Sequence, residues 1–287
     1  MKVSVIVPIF EGNCYVMNII EMVKENMVTI KSTGQHINVE LLFINDSPDF
    51  PIQIEGLNDD NIIEIRVINN AKNIGIHGSR VYGLREAKGQ YILFLDQDDK
   101  INDDCIVTQL KYIDKSDVCI GNGYKTSHNY RKKIYRHYQK QRLATIEKVF
   151  LKAACQIVSP GQCLIRKEAI PQEWYEYIVS DNGSDDFFLW ILMFEKNRTF
   201  SLNTKEIYEH IDTGKNVSND DWRMTKSAHN VISLMKKCGC IRDKSIRSYE
   251  RRIAFWEDLQ KYNGIKKAII YIKNIDTCIW KLYAYYR

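Results

Sequence analysis

No CxxC pair occurs among the eight cysteines, which stand at 14, 105, 119, 155, 163, 238, 240 and 278. The thiolate spacing of a structural zinc site is therefore missing. Several of these cysteines lie inside apolar runs, as in Val118-Cys119-Ile120, and free thiols in a reducing cytosol suit them better than disulfides. No stretch of about 18 uninterrupted apolar residues exists, which excludes a membrane-spanning helix. Internal repeats and low-complexity tracts are absent as well, which excludes solenoids and biased tails. The opening Met1-Lys2-Val3-Ser4-Val5-Ile6-Val7 is stopped by Pro8 too early for a secretory signal core. The expected location is cytoplasmic, at most at the inner face of a membrane.

What is present points to a large globular chain. At 287 residues and 45% hydrophobic, it exceeds a usual single domain and can bury a full core. The net charge of +5 is unevenly placed. Residues 221–287 hold 15 Lys/Arg against 6 Asp/Glu, and residues 1–220 hold 26 against 30. A basic tail on an acidic body suits either an anionic partner or ordinary solvated helix faces.

Apolar runs and helical periodicities alternate along the first 120 residues. Val3 to Val7 reads as a first buried strand ended by Pro8. Val16, Ile19, Ile20, Val23 and Met27 recur with helical spacing across 14–27. Glu40 to Ile44 is a second strand, followed by Asn45-Asp46-Ser47 and a loop marked by Pro48 and Pro51. A third strand is expected at 62–68 and a helix at 75–88 closed by Gly89. Tyr91 to Leu95 is a fourth strand, 103–114 a helix and 117–120 a fifth strand. This alternation argues an α/β fold with a mostly parallel sheet. Parallel strands bring their C-terminal ends to one edge, where open α/β sheets bind ligands. Phe10-Glu11, Asn45-Asp46 and Asp96 to Asp99 should meet there. Three acids in Asp96-Gln97-Asp98-Asp99 repel one another, and a hard divalent cation would relieve them; an acidic helix N-cap is the plainer alternative.

Taken together, Val3 to Phe10, Asn45-Asp46-Ser47, Asn73-Ile74-Gly75 with Arg80, and Gly89 to Asp99 resemble family 2 glycosyltransferases in order and spacing. The resemblance covers roughly the first hundred residues. It implies a GT-A fold, a nucleotide-sugar donor, a divalent metal (Mn²⁺ or Mg²⁺) and inversion at the anomeric carbon. By the same resemblance Pro8 and Phe10 flank the base, and Glu11 stands where the family commonly has Asn. Asp46 matches the acid that accepts the uracil N–H, and so favours a UDP-sugar. Asn73 and Gln97 belong to the donor side, and Arg80 lies near the base or phosphates, although Val81 replaces the Asn that often follows. Asp96 holds the ribose, Asp98 binds the metal, and Asp99 caps the next helix or stays behind the site.

The second half is less legible. Residues 123–142 carry seven Lys/Arg, four Tyr and no acid, a pattern shared by nucleic-acid surfaces, diphosphate loops and exposed faces; beside a donor site, an acceptor or lid role is the expectation, and nucleic acid is not an expected partner. Ser159 to Arg166 resembles the family's acceptor-side strand, with Gly161 and Gln162 near the sugar. Asp185-Asp186 precedes Leu189-Trp190 at the spacing of the family's Glu-Asp pair, which implies that Asp186 is the general base; an acidic helix start is the alternative. His210, after a short strand at 205–209, matches a position near the metal or diphosphate. The loop 212–219 reads as flexible.

Residues 1–220 are thus expected to form the catalytic domain, split at 122 into donor and acceptor halves, and 221–287 a helical region at 221–237, 243–262 and 265–286. Its apolar load suggests a homo-oligomer built through these helices, with peripheral membrane contact as the competing reading. The acceptor is a glycan, glycoprotein or lipid-linked hydroxyl. A nucleotidyltransferase remains an alternative but would carry a basic Gly-rich loop after strand one, where Ile9-Phe10-Glu11-Gly12-Asn13 has no basic residue. A non-catalytic scaffold would not need the acids at 96, 98 and 186.

Overall fold

The computed structural model describes residues 1–54, 62–214 and 216–286. Lys215 of the expected flexible loop and Arg287 of the basic tail lie outside the described residues. The elements run β1 (Lys2–Ile9), α1 (Asn13–Ser32), β2 (Asn38–Asn45), β3 (Glu64–Asn69), α2 (Gly75–Glu86), β4 (Tyr91–Phe94), β5 (Lys100–Ile101), α3 (Cys105–Ile113), β6 (Val118–Ser127) and β7 (Tyr130–Lys133). They continue with α4 (Tyr138–Gln141), α5 (Glu147–Lys152), β8 (Cys163–Arg166), α6 (Gln172–Glu176), α7 (Asp185–Glu195), β9 (Phe200–Ile211), α8 (Asp221–Cys238), α9 (Asp243–Lys261), α10 (Gly264–Lys273) and α11 (Ile275–Tyr286).

One sheet runs in the order β3-β2-β1-β4-β8-β6-β9-β5, with β7 paired to β6. Strands β1 to β4, β6 and β9 share one direction, and β5, β7 and β8 oppose them. The expected α/β sheet, mostly parallel and flanked by helices, is what forms. Successive side chains of β1 alternate between two layers: Val3, Val5, Val7 and Ile9 pack with the apolar faces of α1 and α3, whereas Ile6 packs with α2, α7, α8 and α9. Each fully buried Ile or Val contributes ~2 kcal/mol to holding these layers together. Helix α7 is apolar on nearly every side, Phe187 to Met193 all being buried, because it is enclosed in the second layer.

Several expected boundaries shift, each for a tertiary reason. Helix α2 ends at Glu86 with Ala87 extended, so Gly89 does not close it. Gly89 instead lies against β1, where a Cβ would sit 2.7 Å from the Ser4 backbone nitrogen. The fifth strand runs on to Ser127 and turns back as β7, so the basic stretch begins as a hairpin. The strand carrying His210 has twelve residues, not five, because it pairs along β6. The last expected helix breaks at Asn274 into α10 and α11.

His77 ties α2 to the chain around α6. Its Nε2–H donates to the Trp174 carbonyl at 3.0 Å, and its Nδ1 accepts from the Val179 N–H at 2.9 Å. Burial, opposed by Asp185 and assisted by Arg80, pulls its pKa down to about 4. The folded pKa lies below the ordinary 6.5, so the unfolded chain binds a proton first and stability falls as pH drops from about 6.5 to about 4. The loss is on the order of 3 kcal/mol. Denaturant unfolding between these pH values should show that slope, and His77→Gln should flatten it; an unchanged slope in the variant would remove the assignment.

Candidate functional site

The C-terminal ends of β1, β2 and β4 open onto a cavity of about 470 Å³. Pro8, Phe10, Asp46, Asn73, Arg80, Asp96, Gln97, Asp98, Asp186 and His210 all line it. Glu11 does not: its side chain is exposed, and its backbone N–H donates to Ser47 Oγ at 2.7 Å. Phe10 stands half-exposed at the rim, and Asn73 is exposed with its Oδ1 accepting from the Gly75 N–H at 3.1 Å.

Asp46 faces the cavity but already holds the start of α2. Its Oδ1 accepts from Ile74 N and Asn70 Nδ2, each at 2.8 Å, and its Oδ2 accepts from Gly75 N at 2.9 Å. Gly75 has a φ of +79°, a left-handed conformation that glycine adopts without strain. One lone-pair direction on Oδ2 stays available for a further donor.

Arg80 is buried at the centre. Nη1 donates to Asp185 Oδ2 at 2.6 Å and Nη2 to Asp96 Oδ1. Burial opposes its charge, but Asp185 and then Asp96 outweigh burial and hold it above its ordinary pKa. Asp96 Oδ2 also accepts from Ser159 Oγ at 2.8 Å. Gln97 clips the loop after β1 through Phe10 N at 2.9 Å and Phe10 O at 3.3 Å.

The acids after β4 divide by partner. Asp99 is fully enclosed, accepting from Tyr208 Oη and from Ile211 N at 3.0 Å, with His210 Nδ1 also 3.0 Å away. Burial and Asp96 raise Asp99 against the pull of His210. Burial pulls His210 down, but Asp99 and then Asp96 carry it upward overall. Among the described residues Asp98 forms no ion pair, and its one side-chain hydrogen bond there is a long contact of 3.4 Å from Asn216 Nδ2. Burial, then Asp99 and Asp96, push it up to about 6. An uncompensated carboxylate facing a cavity is a fitting ligand for a divalent cation. Among the described residues no group of three or more His, Cys, Asp or Glu is arranged to hold a metal by itself. The fit is therefore to a cation bound by one or two carboxylates and completed by phosphate oxygens, as Mg²⁺ commonly is.

Asp186 sits in the first turn of α7, with the Phe187 N–H donating to its Oδ1 at 2.7 Å. Burial and the adjacent Asp185, against Arg80, raise it to about 7. Gly183 makes the turn into α7 at φ +130°, where a Cβ would meet Met224 Sδ at 2.7 Å. Around this acid the structure adds Lys125, Val158, Ser159, Pro160, Asn182 and Asn216. Of these, Lys125, Ser159, Pro160 and Asn216 fall in stretches the sequence marks, while Asn182 carries no sequence signal because only packing brings its loop inward. Gly161 and Gln162 lie behind the wall: Gln162 is fully buried and donates to the Gly121 carbonyl at 2.8 Å. Lys132, Lys125 and His210 stand side by side across β7, β6 and β9, which makes a basic row from the acids toward the hairpin.

Known proteins are similar to this chain in sequence or in fold. A glycosyltransferase of unassigned role from Haemophilus influenzae is 29% identical over 123 residues, 42% of this chain and 46% of its own length. The Bacillus subtilis minor teichoic acid biosynthesis protein GgaB is 32% identical over 113 residues, 39% of this chain and 12% of its own. Glycosyltransferase GlyG of Streptococcus pneumoniae is 30% identical over 127 residues, 42% of this chain and 39% of its own. The chain thus spans less than half the length of each of these relatives. In fold it is similar to residues 1–349 of S. aureus TarS, solved with UDP-GlcNAc, at a TM-score of 0.61 and 15% identity over 98% of this chain and 81% of that one. The profile of glycosyl transferase family 2 matches residues 4–174, more than half of the chain, which therefore belongs to that family.

Proposed function

We propose that the protein is an inverting, metal-assisted glycosyltransferase that moves a sugar from a UDP-sugar to a hydroxyl of a glycan, glycoprotein or lipid-linked acceptor. The observation that carries this reading is that two carboxyls with raised pKa values, Asp98 at about 6 and Asp186 at about 7, face one cavity. One is poised to bind a cation and the other to take a proton near neutral pH. The UDP-GlcNAc bound by TarS and the free lone pair of Asp46 favour uridine. Residues 1–220 act as the catalytic unit, and 221–287 as its helical extension.

In this reading Asp46, Pro8 and Phe10 seat the base, and Asp96, steadied by Arg80 and Ser159, orients the ribose. Asp98, with His210 nearby, would hold Mn²⁺ or Mg²⁺, which when bound offsets charge growing on the departing diphosphate. Asp186 Oδ accepts the acceptor hydroxyl proton as that oxygen bonds to the anomeric carbon. The bond from that carbon to the diphosphate oxygen breaks, and its electron pair leaves with UDP. Lys125 and Lys132 extend the positive field for phosphate-bearing substrates.

A panel of UDP-sugars tested for Mn²⁺-dependent hydrolysis and transfer checks the reading. Asp98→Asn should lower turnover by ~10²-fold or more with an unchanged circular dichroism spectrum. Full activity of that variant in chelator would sink the metal assignment, and no turnover of any UDP-sugar would sink the donor.

A further inference from the structure

Helices α10 and α11 are attached to the body by a narrow side. Their buried residues are Ile270, Thr277 and Ala284, spaced every seven, so the same side faces inward on both sides of the break at Asn274. The outward side carries Ile265 at 82% exposure, Ile272 at 71%, Ile275 at 62%, Ile279 at 58%, Leu282 at 56% and Tyr286 at 79%. At roughly 100° per residue these positions and their apolar neighbours cover close to half of the helix circumference. Soluble amphipathic helices turn such a face inward; here it points to solvent.

One margin of this face is basic on α10. Lys266 and Lys273 stand exposed along it, Lys267 is half-buried on the side of Ile270, and Lys281 folds back over the Trp256 ring at 3.6 Å. Between 264 and 286 the sequence holds one acid, Asp276, and it is already bound to Lys152 at 3.2 Å and Arg251 at 2.9 Å. A second copy of the chain is a poor occupant on these grounds. A two-fold contact places the same patch against itself, so the two marginal lysines would meet lysines with no free acid among them. The face is also broader than the narrow seam a helix pair uses. An anionic lipid surface supplies the complementary charge, accepts a wide apolar face and suits tyrosines at headgroup depth.

We propose that α10 and α11 lie flat on an anionic membrane surface, with Ile265, Ile272, Ile275, Ile279 and Leu282 in the headgroup–acyl boundary and Lys266 and Lys273 on lipid phosphates. No helix among the described residues is long and apolar enough to cross a membrane, so the contact is peripheral. The inference stands apart from the transfer reaction, and a binding assay tests it without donor or acceptor.

The full chain should co-sediment with phosphatidylcholine vesicles containing phosphatidylglycerol, and release as ionic strength shortens the Debye length. The double variant Ile272→Asp/Ile279→Asp replaces exposed side chains, so it should keep its circular dichroism and lose binding at least ~10-fold. Lys266→Glu/Lys273→Glu should weaken binding by ~25-fold or more, at about 5-fold for each lysine removed and more for each charge reversed. Equal binding to pure phosphatidylcholine, or unchanged binding by the Asp variant, would overturn the proposal. So would a light-scattering dimer that the Asp variant dissolves while no vesicles are bound, which would put a second copy on this face.

Discussion

Asp186→Asn is expected to lower sugar transfer by ~10²–10⁴-fold, the usual contribution of a positioned general base, and to make the folded protein more stable at pH 8. Both effects follow from one carboxyl raised from 3.8 to about 7, first by burial and then by Asp185. In the folded state the proton is held more tightly than in the unfolded chain. Stability from this group is therefore complete below about pH 4 and declines as pH rises toward about 7. Across that span the cost of forcing the charge is on the order of 1–4 kcal/mol, the upper end being the full shift before any relaxation. Asparagine carries no charge to force, so the variant escapes the cost above pH 7. Its Oδ1 can still accept from the Phe187 N–H. Denaturant unfolding at pH 5 and pH 8 should find variant and parent closer at the lower pH. The parent's kcat/KM should rise with pH and level off above about 7. A variant that keeps its activity, or a profile flat from pH 5 to pH 9, would take the base role from Asp186.

Arg80→Met should be the most destabilising single change at the site, by roughly 3–5 kcal/mol. The guanidinium is 3% exposed and bridges Asp185 and Asp96, so its removal leaves two carboxylates facing each other without a cation. Loss of the alkyl stem is not the cause, because Met retains similar apolar volume. The repulsion should ease when one acid is neutralised: Arg80→Met/Asp185→Asn should recover part of the loss, with a coupling of about 1–3 kcal/mol in the cycle. Arg80→Lys should fall between, since one ammonium cannot reach both acids in the geometry of a planar fork. A loss below about 1 kcal/mol for Arg80→Met, or strict additivity in the cycle, would show that the bridge carries little of the stability.

Sequence alone determined the sheet and the edge at which its cavity opens. Val3–Val7, Leu41–Ile44 and Tyr91–Leu95 are apolar on both faces, which only strands enclosed between two layers tolerate, and their common direction placed Pro8, Asp46 and Asp96 to Asp98 on one edge. The resemblance of Asp185-Asp186 before Leu189-Trp190 to the family's Glu-Asp pair likewise marked the start of α7. Those signals are local, because apolar periodicity and the polar residue after a strand are set within a few positions. The tertiary structure decided what depends on distant neighbours. Arg80 meets Asp185 from 105 positions away, Gln162 is drawn behind the wall by β6, Glu11 turns outward while Ser47 holds its backbone, and Asn216 enters on the loop after β9. The same holds for α10 and α11. Their sequence mixes apolar and basic residues on several faces, and it is the docking of Ile270, Thr277 and Ala284 that leaves the broader apolar face outside, since a helix's orientation is set by the surface it packs on and not by its own periodicity.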